Sequence, residues 1–292
     1  MDILAEEFAA ARDRRARVVL PEVEDARIVE ATDRLRAEGL AEPLSLADAH
    51  PAAEYVDLIL RQRPGLKPAL ALRMLEKPLI RAAAMVAAGE ADAMVAGAAA
   101  PTRRVIEAAA LTIGMAEGVE TPSSFFLMRL LDGRALIFAD CAVNVAPHAA
   151  QLADIARASA VSAQALLGAA RLALLSFSTG ASGSGASVEC VRAAAEALRA
   201  EGLDALGPVQ ADAALNPAIA AKKGLEGTVP ANVLIFPDLD AGNIAYKLMQ
   251  ELAGAQAIGP FLQGFARPVC DLSRGATVAD IVAATVLTLA RA

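Results

Sequence analysis

The run RVVLPEVEDARIVEATDRLRAEGLAEPLSLAD, residues 17–48, decides the fold. An apolar run, VVLPE, leads into an amphipathic stretch, DARIVEATDRLRAEGL, and a second apolar run, PLSLAD, follows. Ile28, Thr32 and Leu35 fall at i, i+4 and i+7, and Gly39 stands where a helix ends on a glycine, so the spacing predicts strand, helix, strand. The alternation recurs outward from this unit. Apolar runs at 93–96, 135–139, 172–177, 233–237 and 258–262 alternate with helical stretches such as 148–163, 188–201 and 278–291. Continuous apolar strands between helices predict an α/β chain with a mostly parallel sheet covered on both faces. One departure is SSFFLMRLLDGRALIFAD, where Asp132-Gly133 between two strand-like runs reads as a hairpin turn and marks a junction between domains.

At 292 residues the chain has room for two domains of about 150 residues. Its hydrophobic content of 56% against 21% charged excludes a disordered chain. A mean hydropathy of +0.44 calls for a large core or an apolar subunit interface, the expectation being a homodimer. A net charge of -7 offers no basic field for a nucleic-acid backbone. Cys141, Cys190 and Cys270 lie far apart without Cys-x-x-Cys spacing, so the reading is a reducing compartment without a disulfide framework. His50 and His148 have no helical pairing, which argues against a histidine metal site. With no signal-peptide core and no long apolar run, a cytoplasmic protein off the membrane is expected.

Four segments could carry chemistry. SFSTGASGSGAS follows a strand and opens a helix; it is an anion cradle of backbone N–H groups, or a plain connection capped by Ser187. Near the C-terminus Asp271, Ser273, Arg274 and Asp280 fall within ten residues, although Thr277-Val-Ala-Asp280 also reads as a capping box. Asp238, Asp240 and Asn243 follow the apolar run at 233–237, as magnesium ligands or as turn-formers. Thr102, Arg103 and Arg104 open a helix after the run at 93–96, a place for phosphate or a solvated helix start.

Taken together, PLIRAAAMVAAGEADAMVAGAAAPT, FADCAVN, LLSFSTGASGSG, QADAALNP, ANVLIFPDLDAGNIAYKL and AIGPFLQGFARPVCDLSRG resemble the phosphate acetyl/butyryltransferase family, and within it the acetyltransferases. The order and spacing match along nearly the whole chain, with NVLIFPDLDAGNIAYK and GPFLQGFARPVCDLSRG the most specific pieces; residues 48–75 match poorly. The resemblance implies two α/β/α domains around a cleft, of the isocitrate/isopropylmalate dehydrogenase type. It gives residues 1–118 as domain I, 119–262 as domain II and 263–292 as a segment returning to domain I.

It further implies reversible transfer of an acetyl group between coenzyme A and inorganic phosphate, with no permanently bound cofactor and no metal. The partners are small molecules: coenzyme A, acetyl phosphate and phosphate. Carried over by position, Asp280 is the base for the coenzyme A thiol, Ser273 a hydroxyl near it and Arg274 a cation for the acyl phosphate. Thr102, Arg104, Ser178, Thr179, Gly180 and Asn243 fall on the substrate side. The chain also departs from its relatives. Many carry His-Thr-Thr and an arginine five residues on, where this chain has Ala100-Pro101-Thr102 and Glu107; Arg104 is the replacement expected, with Arg103 and Arg81 as alternatives. A butyryl-specific transferase shares every motif. A non-catalytic acetyl-CoA-sensing domain is disfavoured by the intact Ser273, Arg274 and Asp280, and a decarboxylating dehydrogenase has only Asp238 and Asp240 in its favour.

Overall fold

A computed structural model describes residues 3–292. The chain divides into two compact units, one ending at Val119 and rejoined by Gly259–Ala292, the other Glu120–Ile258.

The first unit opens with α1 (Ile3–Arg14), β1 (Arg17–Val19), α2 (Ala26–Ala37) and β2 (Glu42–Leu44). It continues through α3 (Val56–Gln62), α4 (Pro68–Met74), α5 (Pro78–Ala87), β3 (Ala93–Ala96) and α6 (Thr102–Thr112). The unit predicted from residues 17–48 is present, with β1 pairing in parallel with β2 and β3. Asp25 caps α2 by accepting from the Arg27 N–H at 2.9 Å, and Gly39, at φ +66°, ends the helix in the left-handed region. Ile28, Ala31 and Leu35 form the fully buried stripe of α2, while Thr32 is only half-buried. All four residues of β3 are buried because α5 and α12 pack against it.

The second unit begins with the hairpin of β4 (Ser123–Arg129) and β5 (Ala135–Ala139), closed at Gly133 with φ +87°. It proceeds through α7 (Ala149–Leu167), β6 (Leu172–Leu175), α8 (Ala186–Ala200), β7 (Ala205–Val209), α9 (Ala211–Leu215), α10 (Pro217–Lys222), β8 (Val233–Ile235) and α11 (Leu239–Ala253). β5, β8, β6 and β7 pair in parallel in that order. One expectation is corrected here: Ser187 does not cap α8, which starts one residue earlier with Gly185 at the cap position, φ +142°. Only glycine accepts that angle readily, and it leaves the first turn without a side-chain cap.

The chain leaves this unit along β9 (Gln256–Gln263) and adds β10 (Val269–Asp271) and α12 (Val278–Leu289) to the first one. β10 runs parallel to β3 and antiparallel to β9. Ile281–Leu289 are all buried, so α12 absorbs much of the chain's apolar excess internally. Each buried aliphatic side chain there contributes roughly 1.5–3 kcal/mol. Thr285 and Thr288 are tolerated among them because their hydroxyls donate to the carbonyls of Ile281 and Ala284. Among the described residues no helix is long and apolar enough to cross a membrane.

Candidate active site

In the first unit three chain segments meet at the carboxyl ends of β1, β3 and β10. After β1, Glu22 turns its carboxylate onto the loop following β3 and accepts four consecutive backbone N–H groups. Gly97 and Ala98 bond Oε2 at 2.7 and 2.8 Å, and Ala99 and Ala100 bond Oε1 at 3.1 and 2.7 Å. Four donors on one carboxylate fix that loop, because each would otherwise need another partner. Arg27 ties the same turn to the loop after β10. Held by both Asp25 oxygens, it donates to the carbonyls of Arg274 and Ala276 at 2.8 Å each and of Ala98 at 3.1 Å.

These anchors set the predicted residues in place. Thr102, half-buried as the first residue of α6, donates its hydroxyl to Asp271 Oδ2 at 2.6 Å. Asp271, the last residue of β10, is 1% exposed, and its Oδ1 has no hydrogen-bond partner. Burial first, and then the charge of Glu22, push this carboxyl up to about 7, against the pull of Thr102 and Arg274. The packing around it is tight: a Cβ on Gly97 would lie 2.3 Å from Asp271 Oδ1 and 2.7 Å from the Leu272 nitrogen, so only glycine fits. Ser273 and Arg274 are exposed on the following turn, where the Ser273 hydroxyl accepts from the Gly275 N–H at 3.3 Å. Asp280 forms the capping box legible in the sequence. Its Oδ2 accepts from the Thr277 N–H at 3.0 Å and hydroxyl at 2.7 Å, and Thr277 Oγ1 accepts from the Asp280 N–H at 3.2 Å.

Arg104 pairs with Glu107 one turn on, at 3.1 Å, both side chains well exposed. Such a pair is worth at most about 1 kcal/mol, so Glu107 holds the guanidinium loosely. Beside it Lys77, Pro78, Leu79 and Ile80 line a pocket of about 490 Å³. Arg81 is committed elsewhere: it stacks over the Tyr55 ring and donates to the His50 carbonyl. Arg103 is exposed.

In the second unit the loop after β5 is organised by Asp140. This carboxylate, 2% exposed, accepts from the N–H groups of Ser124, Ala142, Val143 and Asn144, from the Asn144 amide at 2.6 Å and from the Ser124 hydroxyl. Asn243, on α11, donates to the Cys141 carbonyl at 3.1 Å. Gly242 lets the helix approach so closely, since a Cβ there would meet the Asp140 carbonyl at 2.3 Å. Asp238 caps α11 through the Ala241 N–H, and Asp240 follows in the first turn.

The Gly/Ser loop after β6 is internally satisfied where carry-over was expected. Ser178 and Thr179 are buried, and Ser182 Oγ sits 3.2 Å from Ser178 Oγ and accepts from the Thr179 N–H at 3.0 Å. The Gly180 N–H goes to the Pro208 carbonyl at 2.9 Å. Residues 180–182 and 184–187 are exposed, and α8 begins uncapped in the latter stretch. All three cysteines are free; burial pushes the Cys141 thiol well up and the Cys270 thiol up to about 12, so neither offers a thiolate at neutral pH.

Sequence reading had named Asp271, Ser273, Arg274, Asp280 and Thr102. It misses Glu22 and Asp140, whose only signal is an acid just beyond an apolar run, and Arg27, one of several charged residues in the amphipathic stretch of α2.

Comparison with known proteins follows the same lines. A family model described as "Phosphate acetyl/butaryl transferase" matches residues 46–289. A phosphate acetyltransferase of Paracoccus denitrificans is 42% identical, the match covering 97% of this chain and 96% of that protein. A phosphate acetyltransferase of Nitrosomonas europaea is 40% identical over 97% of this chain but only 45% of its own length, so this chain spans less than half of that longer relative. A phosphotransacetylase structure from Streptococcus pyogenes superposes with a TM-score of 0.90 at 34% identity, covering 98% of each chain.

Proposed function

The chain belongs to the phosphate acetyl/butaryl transferase family, and from that premise we propose that it moves an acetyl group reversibly between coenzyme A and inorganic phosphate. It is an acyltransferase: acetyl-CoA and phosphate give coenzyme A and acetyl phosphate. The observation that carries the reading is the matched segment after β10, where Ser273 and Arg274 stand on a loop braced by Arg27 and Asp280 in the first turn of α12.

In the acetyl-CoA-forming direction the thiol of coenzyme A must lose a proton, and with a pKa near 8.5 only a few per cent is ionised at neutral pH. Asp280 takes that proton. Arg274, on the preceding turn, supplies positive charge that favours the thiolate. The thiolate attacks the acetyl carbon, the C–O bond to phosphate breaks, and the phosphate leaves with the electron pair. Ser273 donates to the sulfur or the developing oxyanion. Thr102 and Arg104 hold the phosphate end. Asn243, Ser178, Thr179 and Gly180 of the second unit are substrate-side residues on the strength of the family resemblance. Neither Cys141 nor Cys270 enters, since both are buried as thiols.

The protein acts in the cytoplasm as a homodimer without a permanently bound cofactor. Support for a second copy comes from α11, where Ile244, Leu248 and Leu252 stand exposed at i, i+4 and i+8. Light scattering is expected to give twice 29.9 kDa, and a monomer at micromolar concentration overturns the dimer. The activity is tested by thioester formation from acetyl phosphate and coenzyme A with EDTA present, and butyryl phosphate alongside. Turnover that appears only with Mg²⁺ and NAD(P) defeats the reading.

A further inference from the structure

Asp271 and Thr102 form a pair that the mechanism above leaves unused. Asp271 is fully buried, yet only one of its oxygens is bonded, and that one only to Thr102 at 2.6 Å. A hydroxyl has one proton to give and two lone pairs to receive with. While Asp271 is ionised, the Thr102 proton is committed to it, and the hydroxyl meets any anion with its lone pairs. Once Asp271 carries a proton it becomes the donor in the same short contact, which releases the Thr102 proton for another acceptor. We propose that Asp271 is a proton-holding positioning residue that sets the direction of the Thr102 hydroxyl: protonated, it turns that hydroxyl into a donor for the acyl phosphate, and ionised, it withdraws it. The proton comes from solvent and returns there, and no covalent bond changes. The proposal rests on the transferase reading with Thr102 at the phosphate end.

The surroundings favour such a switch at neutral pH. β3 and β9 carry no ionisable side chain. The turn after β1 brings Glu22, whose charge opposes ionisation of Asp271, and the loop after β10 brings Arg274, which favours it. Cys270, beside it on β10, stays a neutral thiol. Asp280 on α12 and Arg103, Arg104 and Glu107 on α6 are the remaining charges on the elements packed against β10. With burial dominant, the carboxyl sits at about 7.

The test compares wild type, Asp271→Asn, Thr102→Val and Thr102→Ser. Asparagine keeps the shape and donates permanently to Thr102, as the protonated acid does. At saturating coenzyme A, kcat/KM for acetyl phosphate is measured from pH 5.5 to 8.5. Ionisation of the coenzyme A thiol affects wild type and Asp271→Asn alike, so it cancels in their ratio. That ratio is expected to be level well below pH 7 and to fall about tenfold in all as pH rises through 7, levelling off by pH 8.5 where Asp271 is ionised. Thr102→Ser keeps the wild-type profile. Thr102→Val loses about tenfold at pH 6 and differs little at pH 8.5. A readout independent of turnover is the infrared band of a protonated carboxyl, present in wild type at pH 6, gone by pH 8.5 and absent from Asp271→Asn.

Parallel profiles for wild type and Asp271→Asn in an active enzyme overturn this proposal alone. A missing carboxyl band at pH 6 overturns it whatever the activity. Failure of every protein to form thioester overturns the transferase reading and this proposal with it.

Discussion

Asp140 and Asp271 both end up buried at the carboxyl edge of a strand, one in each unit, and they are solvated in opposite ways. Asp140 accepts six hydrogen bonds, four of them from backbone N–H groups, whereas Asp271 accepts one. Six donors replace the water a carboxylate loses on burial, so Asp140 is an anchor around which a loop is wound. A single donor does not replace it, and Asp271 is driven toward the neutral acid. Depth in the fold is equal for the two. What differs is the number of donors, and that number separates an anchor from a group that can hold a proton. Glu22 belongs with Asp140 in this respect, since its four backbone donors make it an anchor although it is only half-buried.

The contrast can be broken most severely at Asp140. Asp140→Ala strands the Ser124, Ala142, Val143 and Asn144 donors at once and is expected to cost about 3–5 kcal/mol in urea unfolding. A loss under about 1 kcal/mol would mean that water replaces the carboxylate and that the donor count decides nothing. Asp280 supplies a third case, half-exposed and bonded by the Thr277 N–H and hydroxyl. Asp280→Asn is expected to lower kcat by roughly 10²- to 10⁴-fold with a nearly unchanged melting temperature, because asparagine keeps the cap-like oxygen but takes no proton. Part of the rate should return as pH nears about 8.5 and the thiol ionises unaided. Full turnover at pH 7 returns Asp280 to capping alone.

At Asp271 the stability effect carries the opposite sign from that of an ordinary paired carboxylate. Its folded pKa lies above the unfolded value, so the folded protein binds the extra proton. The resulting stability is complete below about pH 4 and is lost as pH rises through about 7. Asp271→Asn should therefore gain on wild type between pH 5 and pH 8, by something on the order of 2–4 kcal/mol. Melting curves at the two pH values that shift in parallel for both proteins would erase the distinction between the two aspartates. The smallest expected effect is at Arg104. Arg104→Ala should raise the KM for acetyl phosphate by roughly tenfold and leave that for coenzyme A nearly unchanged, with Arg103→Ala as the control. Equal, small effects would leave the phosphate end to Thr102 and Arg274.

Most of the fold was legible because it rests on local repetition. Apolar runs separated by amphipathic stretches leave few ways to bury both faces of a sheet, and Asp132-Gly133 can hardly be read except as a hairpin. Where the reading slipped, the cause was local and small: Ala31 rather than Thr32 completes the buried stripe of α2, and Gly185 rather than Ser187 precedes α8. The candidate site is legible as far as local patterns run, since Thr102, Asp271, Ser273 and Arg274 lie in family-like motifs and Asp280 in the Thr277-Val-Ala-Asp280 pattern.

By itself, then, the sequence determined the α/β architecture, the family and the capping box at Thr277 and Asp280, all of which depend on residues close together in the chain. Only the tertiary structure decided which carboxylates are anchors and which one stands nearly alone. The partners of Asp271 lie at Thr102 and Glu22, 169 and 249 residues away, and Arg27 reaches the carbonyl of Arg274 across 247. The charge state of a buried acid is set by the donors and charges within a few ångströms of it, and no local pattern records which distant segments will supply them.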